Sequence, residues 1–230
     1  PETAALVETF RRSAPFPVRH VRQEDEGFRK TRILNKVVRV ADVDYLVFSD
    51  GDCIPRRDFV GCHRRSAAPG RFLSGGYFKL PLETSERISL ADIESQRAFR
   101  YSWLRSHGLP PTRKSLKLRY GPRLGMVLDI LTPTRATWNG HNASGWRDDL
   151  MAVNGFDERM EYGGEDRELG ERLVNRGLRP VQLRHRAVCL HLKHGRGYVS
   201  PEMLEKNREI REATRKEKRT RTEFGISDHA

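Results

Sequence analysis

The sequence holds only three cysteines, Cys53, Cys62 and Cys189, with no CxxC pair among them. That excludes a disulfide framework and the usual structural-zinc spacings, and it reads as reduced thiols in a cytosolic protein. No apolar run approaches the roughly 18 residues needed to span a bilayer as a helix. The first residues mix Glu2, Glu8, Arg11 and Arg12 with short apolar pieces, which is not the order of a signal peptide. Internal repeats are absent. Acids are missing from residues 103–128, where Arg105, Arg113, Lys114, Lys117, Arg119 and Arg123 accompany Pro110-Pro111. This stretch reads as a basic loop or insertion.

What is abundant is positive charge. Lysine and arginine number 43 against 31 acids, a formal net charge of +12 in 230 residues. Such a surplus implies an anionic partner, and a nucleic acid, an anionic lipid surface or a nucleoside diphosphate would each satisfy it. At 32% charged and 37% hydrophobic residues the chain is globular rather than disordered, long enough for one substantial core.

Helical spacing is read over 2–13, 29–40, 89–104 and 165–176, the last closed by Gly177 as a stop signal. Tyr45–Phe48 is a short apolar run ending abruptly in Ser-Asp-Gly-Asp, the pattern of a buried strand reaching its carboxyl end. Further strands are expected at 18–21, at 72–80 around a Gly-Gly bend, and at 181–192. Residues 137–147 are turn-rich, and 202–221 form a helix of alternating charge, read as a solvated face or tail. Strands separated by helices imply an α/β domain with a mostly parallel central sheet and flanking helices. Ligands in such sheets sit at the strands' carboxyl ends.

Asp50 and Asp52, one glycine apart at a strand end, can share a divalent cation and a ribose, since hard carboxylate oxygens suit Mg²⁺ or Mn²⁺. The same residues also fit an ordinary Asx-type turn. His191 and His194 follow an apolar strand, and an imidazole beside a carboxylate favours Mn²⁺ over Ca²⁺. Glu165-Asp166 opens a helix, where the dipole alone would favour acids. Gly163-Gly164 before them would let a ligand approach the backbone closely.

YLVFSDGDCIP with Phe59 resembles the DxD strand of family 2 glycosyltransferases with the GT-A (nucleotide-diphospho-sugar transferase) fold. Three more segments resemble that family in the right order: the helix at 32–38 carrying Arg32 and Asn35, the acceptor-side stretch 154–177, and HLKH at 191–194. The likeness spans about residues 18–198. It is greatest to bacterial surface-glycan enzymes with a galactosyltransferase-like C-terminal segment.

The resemblance implies a metal-dependent, inverting transfer from a nucleotide-diphospho-sugar, expected to be a UDP-sugar, to a glycan or lipid-linked acceptor in cell-surface polysaccharide synthesis. It implies that Asp50, Arg32 and Asn35 hold the nucleotide and that Asp52, His191 and His194 hold Mn²⁺ (or Mg²⁺). Asp166 would be the general base and Glu165 its acceptor-holding partner. Trp138, His141, Asn142, Trp146, Tyr162, Gly163 and Gly164 would form the acceptor wall. The family's first strand or strands are expected to be missing upstream of Pro1-Glu2-Thr3. The catalytic domain is expected over 1–200, with 201–230 as a charged helix and tail. Its expected location is cytoplasmic, with peripheral contact to an anionic inner membrane face through Arg113, Lys114, Lys117 and Arg119 beside Leu116 and Leu118. Two readings compete: a basic nucleic-acid-binding protein, for which no reader motif is found, and a non-catalytic glycosyltransferase remnant.

Overall fold

The structure is a computed structural model that describes residues 2–195 and 199–229; residues 196–198, within the segment of the family resemblance, Pro1, and Ala230 at the end of the expected tail lie outside the described residues. Helix α1 (Glu2–Ser13) buries none of its residues. Helix α2 (Lys30–Val40) turns Thr31, Asn35 and Val38 inward at the i, i+4, i+7 spacing of one helical face. The chain then forms β1 (Tyr45–Phe48), a tight turn over Asp50-Gly51, β2 (Cys53–Pro55) and α3 (Phe59–Ser66). Strand β3 (Arg71–Lys79) leads into the short helices α4 (Leu82–Glu86), α5 (Leu90–Glu94) and α6 (Tyr101–Ser106). Helix α7 (Pro122–Leu131), β4 (Ala143–Trp146), α8 (Arg147–Ala152), α9 (Glu165–Asn175), β5 (Arg179–His191) and α10 (Pro201–Lys216) complete the order.

Among the described residues five strands form one sheet, in the order β1-β4-β3-β5-β2. Only β3 and β5 pair in parallel; β1·β4, β3·β4 and β2·β5 are antiparallel. The architecture is α/β as expected, but the sheet is mixed rather than mostly parallel. The antiparallel pairs involve β4 and β2, each of which runs against the neighbour it joins.

One core cluster packs Trp138, Phe48, Phe72 and Phe156 with the inner faces of α2, α8 and α9. A second gathers Phe78, Leu80, Leu104 and Leu190 under the 98–118 segment, and a third joins α3 to β5. Between β3 and β5 the register shifts at Gly75/Gly76, so that residues 184–187 of β5 bulge out of the ladder. Both glycines are required there. A Cβ on Gly75 would lie 1.8 Å from the Asn142 side chain, and one on Gly76 would lie 1.9 Å from the Arg184 carbonyl.

Several expected elements take other forms. Residues 18–21 form no strand. The helix expected over 89–104 is broken at Gln96, which sits at φ 59°. Its amide donates to the Ile93 carbonyl and accepts the Arg57 backbone N–H at 2.8 Å, a tertiary contact that ends the helix. The basic stretch 103–128 is largely structured, with a 3₁₀ turn at 113–118 and then α7. Helix α7 hides Gly125 and Asp129, while Ile130 is 75% and Leu131 70% exposed. Asp129 is held by the His185 backbone N–H and the Arg186 guanidinium, both at 2.7 Å, so it grips the β5 bulge. Finally, α10 is solvated on one side only: Asn207 and Thr214 are buried, as are Thr222 and Ile226 beyond it. No described helix is long and apolar enough to cross a membrane.

Two buried polar networks hold this arrangement. Arg172 is fully enclosed, its guanidinium bonding Glu168 at 2.8 Å and the Val153 and Gly155 carbonyls at 2.6 and 2.7 Å. Thr214 of α10 donates to the same Glu168 at 2.9 Å. Removing one partner of such a pair strands a buried charge, whereas removing both does not. Arg172→Met should therefore lower unfolding free energy by roughly 3–5 kcal/mol. The double variant Arg172→Met/Glu168→Leu should recover most of that in urea titrations.

His63, also enclosed, contacts Ser144 Oγ through Nδ1 at 2.7 Å and Asn142 Oδ1 through Nε2 at 2.9 Å. Burial pulls its imidazole down to about 4, with the Asn142 contact opposing only weakly. The unfolded chain, titrating near 6.5, therefore takes the proton first, so this stability is whole above that pH and is lost as pH falls towards 4. The full loss is roughly 3 kcal/mol. His63→Gln should flatten the pH dependence of stability between 6.5 and 4, measured by denaturant midpoints across that window.

Candidate metal and nucleotide-sugar site

The β1–β2 turn and the end of β5 are brought together by register. Cys53 pairs with His191 in the antiparallel β2·β5 ladder, so Asp52, one residue earlier, emerges beside that imidazole. Asp52 Oδ2 lies 2.9 Å from His194 Nε2 and 3.5 Å from His191 Nε2. Each Nδ1 faces a backbone carbonyl, Leu192 O at 2.9 Å for His191 and Gly195 O at 2.7 Å for His194. A carbonyl only accepts, so each Nδ1 carries a hydrogen and Nε2 is the ring atom each imidazole turns towards Asp52. Asp52 thus has an imidazole nitrogen on either side. Bonds of about 2.1 Å in octahedral geometry put neighbouring ligand atoms about 3 Å apart, so Asp52 with His191 fits a divalent ion, while His194 approaches Asp52 but does not join the group whose ligand atoms all lie within 4.8 Å of one another. The carbonyl partners fix the imidazoles as outer-shell groups do in metal sites.

Cys53 also comes within 4.8 Å of Asp52 and His191 in ligand-atom distance. Its thiol is pushed up by contact with Cys189, by burial and by the adjacent aspartates. Asp50, on the same turn, is bonded at 2.6 Å by Lys30 Nζ from the start of α2. Burial works against the Lys30 charge, yet Asp50, with Glu165 and Asp166 behind it, outweighs burial and holds the ammonium above its usual range.

The opposite wall is the start of α9. Gly163 and Gly164 adopt φ +115° and +95°, a left-handed turn that a side chain would strain. A Cβ on Gly163 would also meet Leu204 of α10 at 2.5 Å. That turn aims Glu165 Oε2 back at the Gly163 N–H, 3.0 Å away, and lets Asp166 Oδ2 accept the Gly140 N–H at 3.1 Å. Burial, then the neighbouring Asp166, raises the Glu165 carboxyl; backbone hydrogen bonds and Lys30 oppose them. His141 lies edge-on to Tyr77 at 4.6 Å, and burial pulls it down to about 4 despite Asp50 and Asp166 nearby.

These groups line one open cavity of about 620 Å³, within the size range of small-molecule sites. Asp50, Asp52, His191, His194, Glu165, Asp166, His141, Tyr162, Gly163 and Gly164 all face it. The other candidates do not. Asn35 is buried, its amide exchanging hydrogen bonds with the Phe156 backbone at 2.7 and 2.9 Å, which ties α2 to the 153–158 turn. Arg32 is half-buried on α2 and is not among the lining residues. Trp138 is wholly enclosed in the core. Asn142 is also enclosed, donating to the Gly76 and Ala187 carbonyls. Trp146 donates to the Ala68 carbonyl and meets Tyr45 edge-on at 5.1 Å. Arg32 and Asn35, expected to hold the nucleotide, and Trp138, Asn142 and Trp146, expected in the acceptor wall, thus lie outside this cavity, and all but Arg32 are engaged in structural contacts.

Phe28, Lys30, Tyr77, Lys79, Arg167, Leu204 and Arg211 also line the cavity, and sequence reasoning did not single them out for it. One had a signal. A lysine at the first position of a helix opposes the helix dipole, and Lys30 sits there because Asp50 faces it. Leu204 and Arg211 come from α10, so the segment read as a tail contributes to the cavity wall.

Residues 135–195, which carry His141, the 162–166 turn and both histidines, match the family model described as the N-terminal domain of galactosyltransferase. No curated protein sequence matches the chain. A solved structure of a mannosyltransferase from Pyrobaculum calidifontis, in complex with GDP-Man and Mn²⁺, aligns at a TM-score of 0.48 and 18% identity. The alignment covers 85% of this chain and 46% of that one, so this chain spans about half the length of that protein. The site-bearing segment thus resembles a glycosyltransferase domain in sequence.

Proposed function

We propose that this protein is an inverting, metal-dependent glycosyltransferase that moves a sugar from a nucleoside diphosphate to a hydroxyl of a glycan or lipid-linked acceptor. The reading draws its main support from one observation: Asp52 and two imidazoles converge across the cavity from a half-buried aspartate, Asp166, on a left-handed glycine turn. The likeness of residues 135–195 to a galactosyltransferase domain supports the same chemistry.

Asp52, His191 and His194 would hold Mn²⁺ or Mg²⁺. When bound, the ion would supply electrostatic stabilisation of the departing diphosphate. Asp50, steadied by Lys30, would accept hydrogen bonds from the sugar or ribose hydroxyls. Asp166, oriented by the Gly140 and Arg167 backbone N–H groups, would take the proton of the acceptor hydroxyl. That oxygen would bond to the anomeric carbon as the bond to the diphosphate breaks, with the electron pair leaving on the nucleotide. A single base opposite the leaving group gives inversion, with no covalent intermediate. The rings of Phe28 and Tyr162, edge-on at 5.8 Å, would pack against a sugar face. UDP-sugars are the first donors to try, and the setting is cell-surface polysaccharide synthesis of the family 2, bacterial kind.

Calorimetry with UDP-sugars should show binding that requires Mn²⁺, weakened at least tenfold by Asp52→Ala, about the effect of losing a metal ligand or its support. If no nucleotide-sugar responds to the metal, the enzyme reading is wrong. Asp166→Asn should leave that binding intact while lowering the rate of transfer roughly 10²–10⁴-fold, the usual contribution of a positioned base. A weaker effect in single-turnover assays would take the base role away from Asp166.

A further inference from the structure

A second cavity, of about 500 Å³, adjoins the first: Tyr77, Lys79 and Arg167 line both. It is walled by β3, by residues 109–117 before α7, by residues 134–139 after it, and by Gln182 and Arg184 of β5. Its charge is one-sided. Lys79, Lys114, Lys117, Arg135, Arg167 and Arg184 face it, and no carboxylate does. None of the six is in an ion pair with a described carboxylate, although elsewhere Arg56, Arg97, Arg159, Arg172, Arg186 and Arg211 each are.

The site is built rather than incidental. The β5 bulge that follows from the Gly75/Gly76 register shift carries Arg184, whose guanidinium donates to Thr134 Oγ1 at 3.2 Å. Lys117 is half-buried on the 3₁₀ turn, donates to the Tyr77 carbonyl, and stands 5.6 and 5.7 Å over the Tyr77 and Phe78 rings. Burial, with Arg184 and then Lys114 adding repulsion, brings its ammonium down to about 8. Six like charges gathered in a concavity repel one another, and the low-dielectric wall strengthens that repulsion. A bound anion would reverse the balance, and charge-assisted hydrogen bonds from lysine and arginine to phosphate oxygens are among the stronger ones proteins make.

The geometry points to this cleft as a binding subsite for a phosphate or diphosphate group carried by the acceptor, with the acceptor's sugar reaching past Tyr77 towards Asp166. The inference rests on the transferase reading for the word acceptor, and on the cleft alone for the anion. A phosphate there has two sources, a soluble phosphorylated sugar or a lipid-borne headgroup. Helix α7, which exposes Leu124, Ile130 and Leu131, joins the two segments that wall the cleft and is compatible with the second.

The test uses the whole chain with EDTA present, so that the metal site is silent. Inorganic pyrophosphate is titrated calorimetrically into the wild type and into the triple variant Lys114→Gln/Arg135→Gln/Arg184→Gln. The wild type should bind it at sub-millimolar concentration, and the variant at least tenfold more weakly. Mn²⁺-dependent UDP-sugar binding, which none of the three residues serves, should be unchanged and reports separately on the transferase reading. A second arm measures sedimentation with phosphatidylcholine vesicles containing phosphatidic acid. Vesicle binding that pyrophosphate competes away assigns the phosphate to a lipid; pyrophosphate binding without vesicle binding assigns it to a soluble acceptor. Equal pyrophosphate affinity in wild type and variant overturns the proposal. So does vesicle binding indifferent to the triple variant, or salt-sensitive duplex DNA binding with no pyrophosphate response.

Discussion

The candidate site depends on one alignment, the antiparallel register that sets Cys53 against His191. Side chains alternate along a strand, so a slip of one residue would turn His191 to the opposite face and separate it from Asp52. The register is secured from outside the pair. β5 is fastened to β3 along nearly its whole length, and the residues that interrupt that ladder are held by Asp129 of α7 and by Asn142. With β5 immobile, β2 has one way to pair, and the short β1–β2 turn carries both aspartates to the end of it.

Polar groups do much of this positioning. Asn142 lies under Gly75, accepts from His63 and donates to carbonyls on both β3 and β5, so one amide joins three elements. Arg172 gathers α9 and the 153–155 turn, while Glu168 reaches α10 through Thr214. Enclosed networks of this kind are favourable only when every member is satisfied, and they then specify one geometry more sharply than apolar contact does. A binding site whose ligand atoms must sit within a few tenths of an ångström of one another gains from being hung on such groups.

Much of the acidic half of the site was legible in sequence. An apolar run ending in two aspartates, a glycine pair before two acids, and histidines after a strand each carry a local signal, and these residues do meet at one cavity. Legibility failed where polar residues serve the interior. Asn35 and Asn142 resemble ligand-binding amides in sequence, and only their buried partners reveal structural roles. Helix α7 could not be read from periodicity, because it buries a glycine and an aspartate and exposes its aliphatic residues. Strand β4, Ala-Ser-Gly-Trp, has no apolar alternation because it lies inside the sheet, where a Cβ on Gly145 would come within 3.1 Å of the Trp138 ring. The mixed sheet could not be inferred from alternation of strands and helices, since strand direction depends on which neighbours pair.

The charge pattern along the paired cavities follows a single logic. At one end Asp50, Asp52, Glu165 and Asp166 face the cavity with Lys30 among them; at the other, six cations face the adjoining cleft with no acid. The first end balances its acids with Lys30, Lys79, Arg167 and Arg211, whereas six like charges make the second unfavourable when empty. A divalent cation beside Asp52 and a phosphate group in the cleft would attract each other as well as the protein, so filling one end would strengthen binding at the other by Coulomb's law. Cooperation of that kind would need no conformational change. It follows from acids and bases being segregated along one groove, with Tyr77, Lys79 and Arg167 where the two meet.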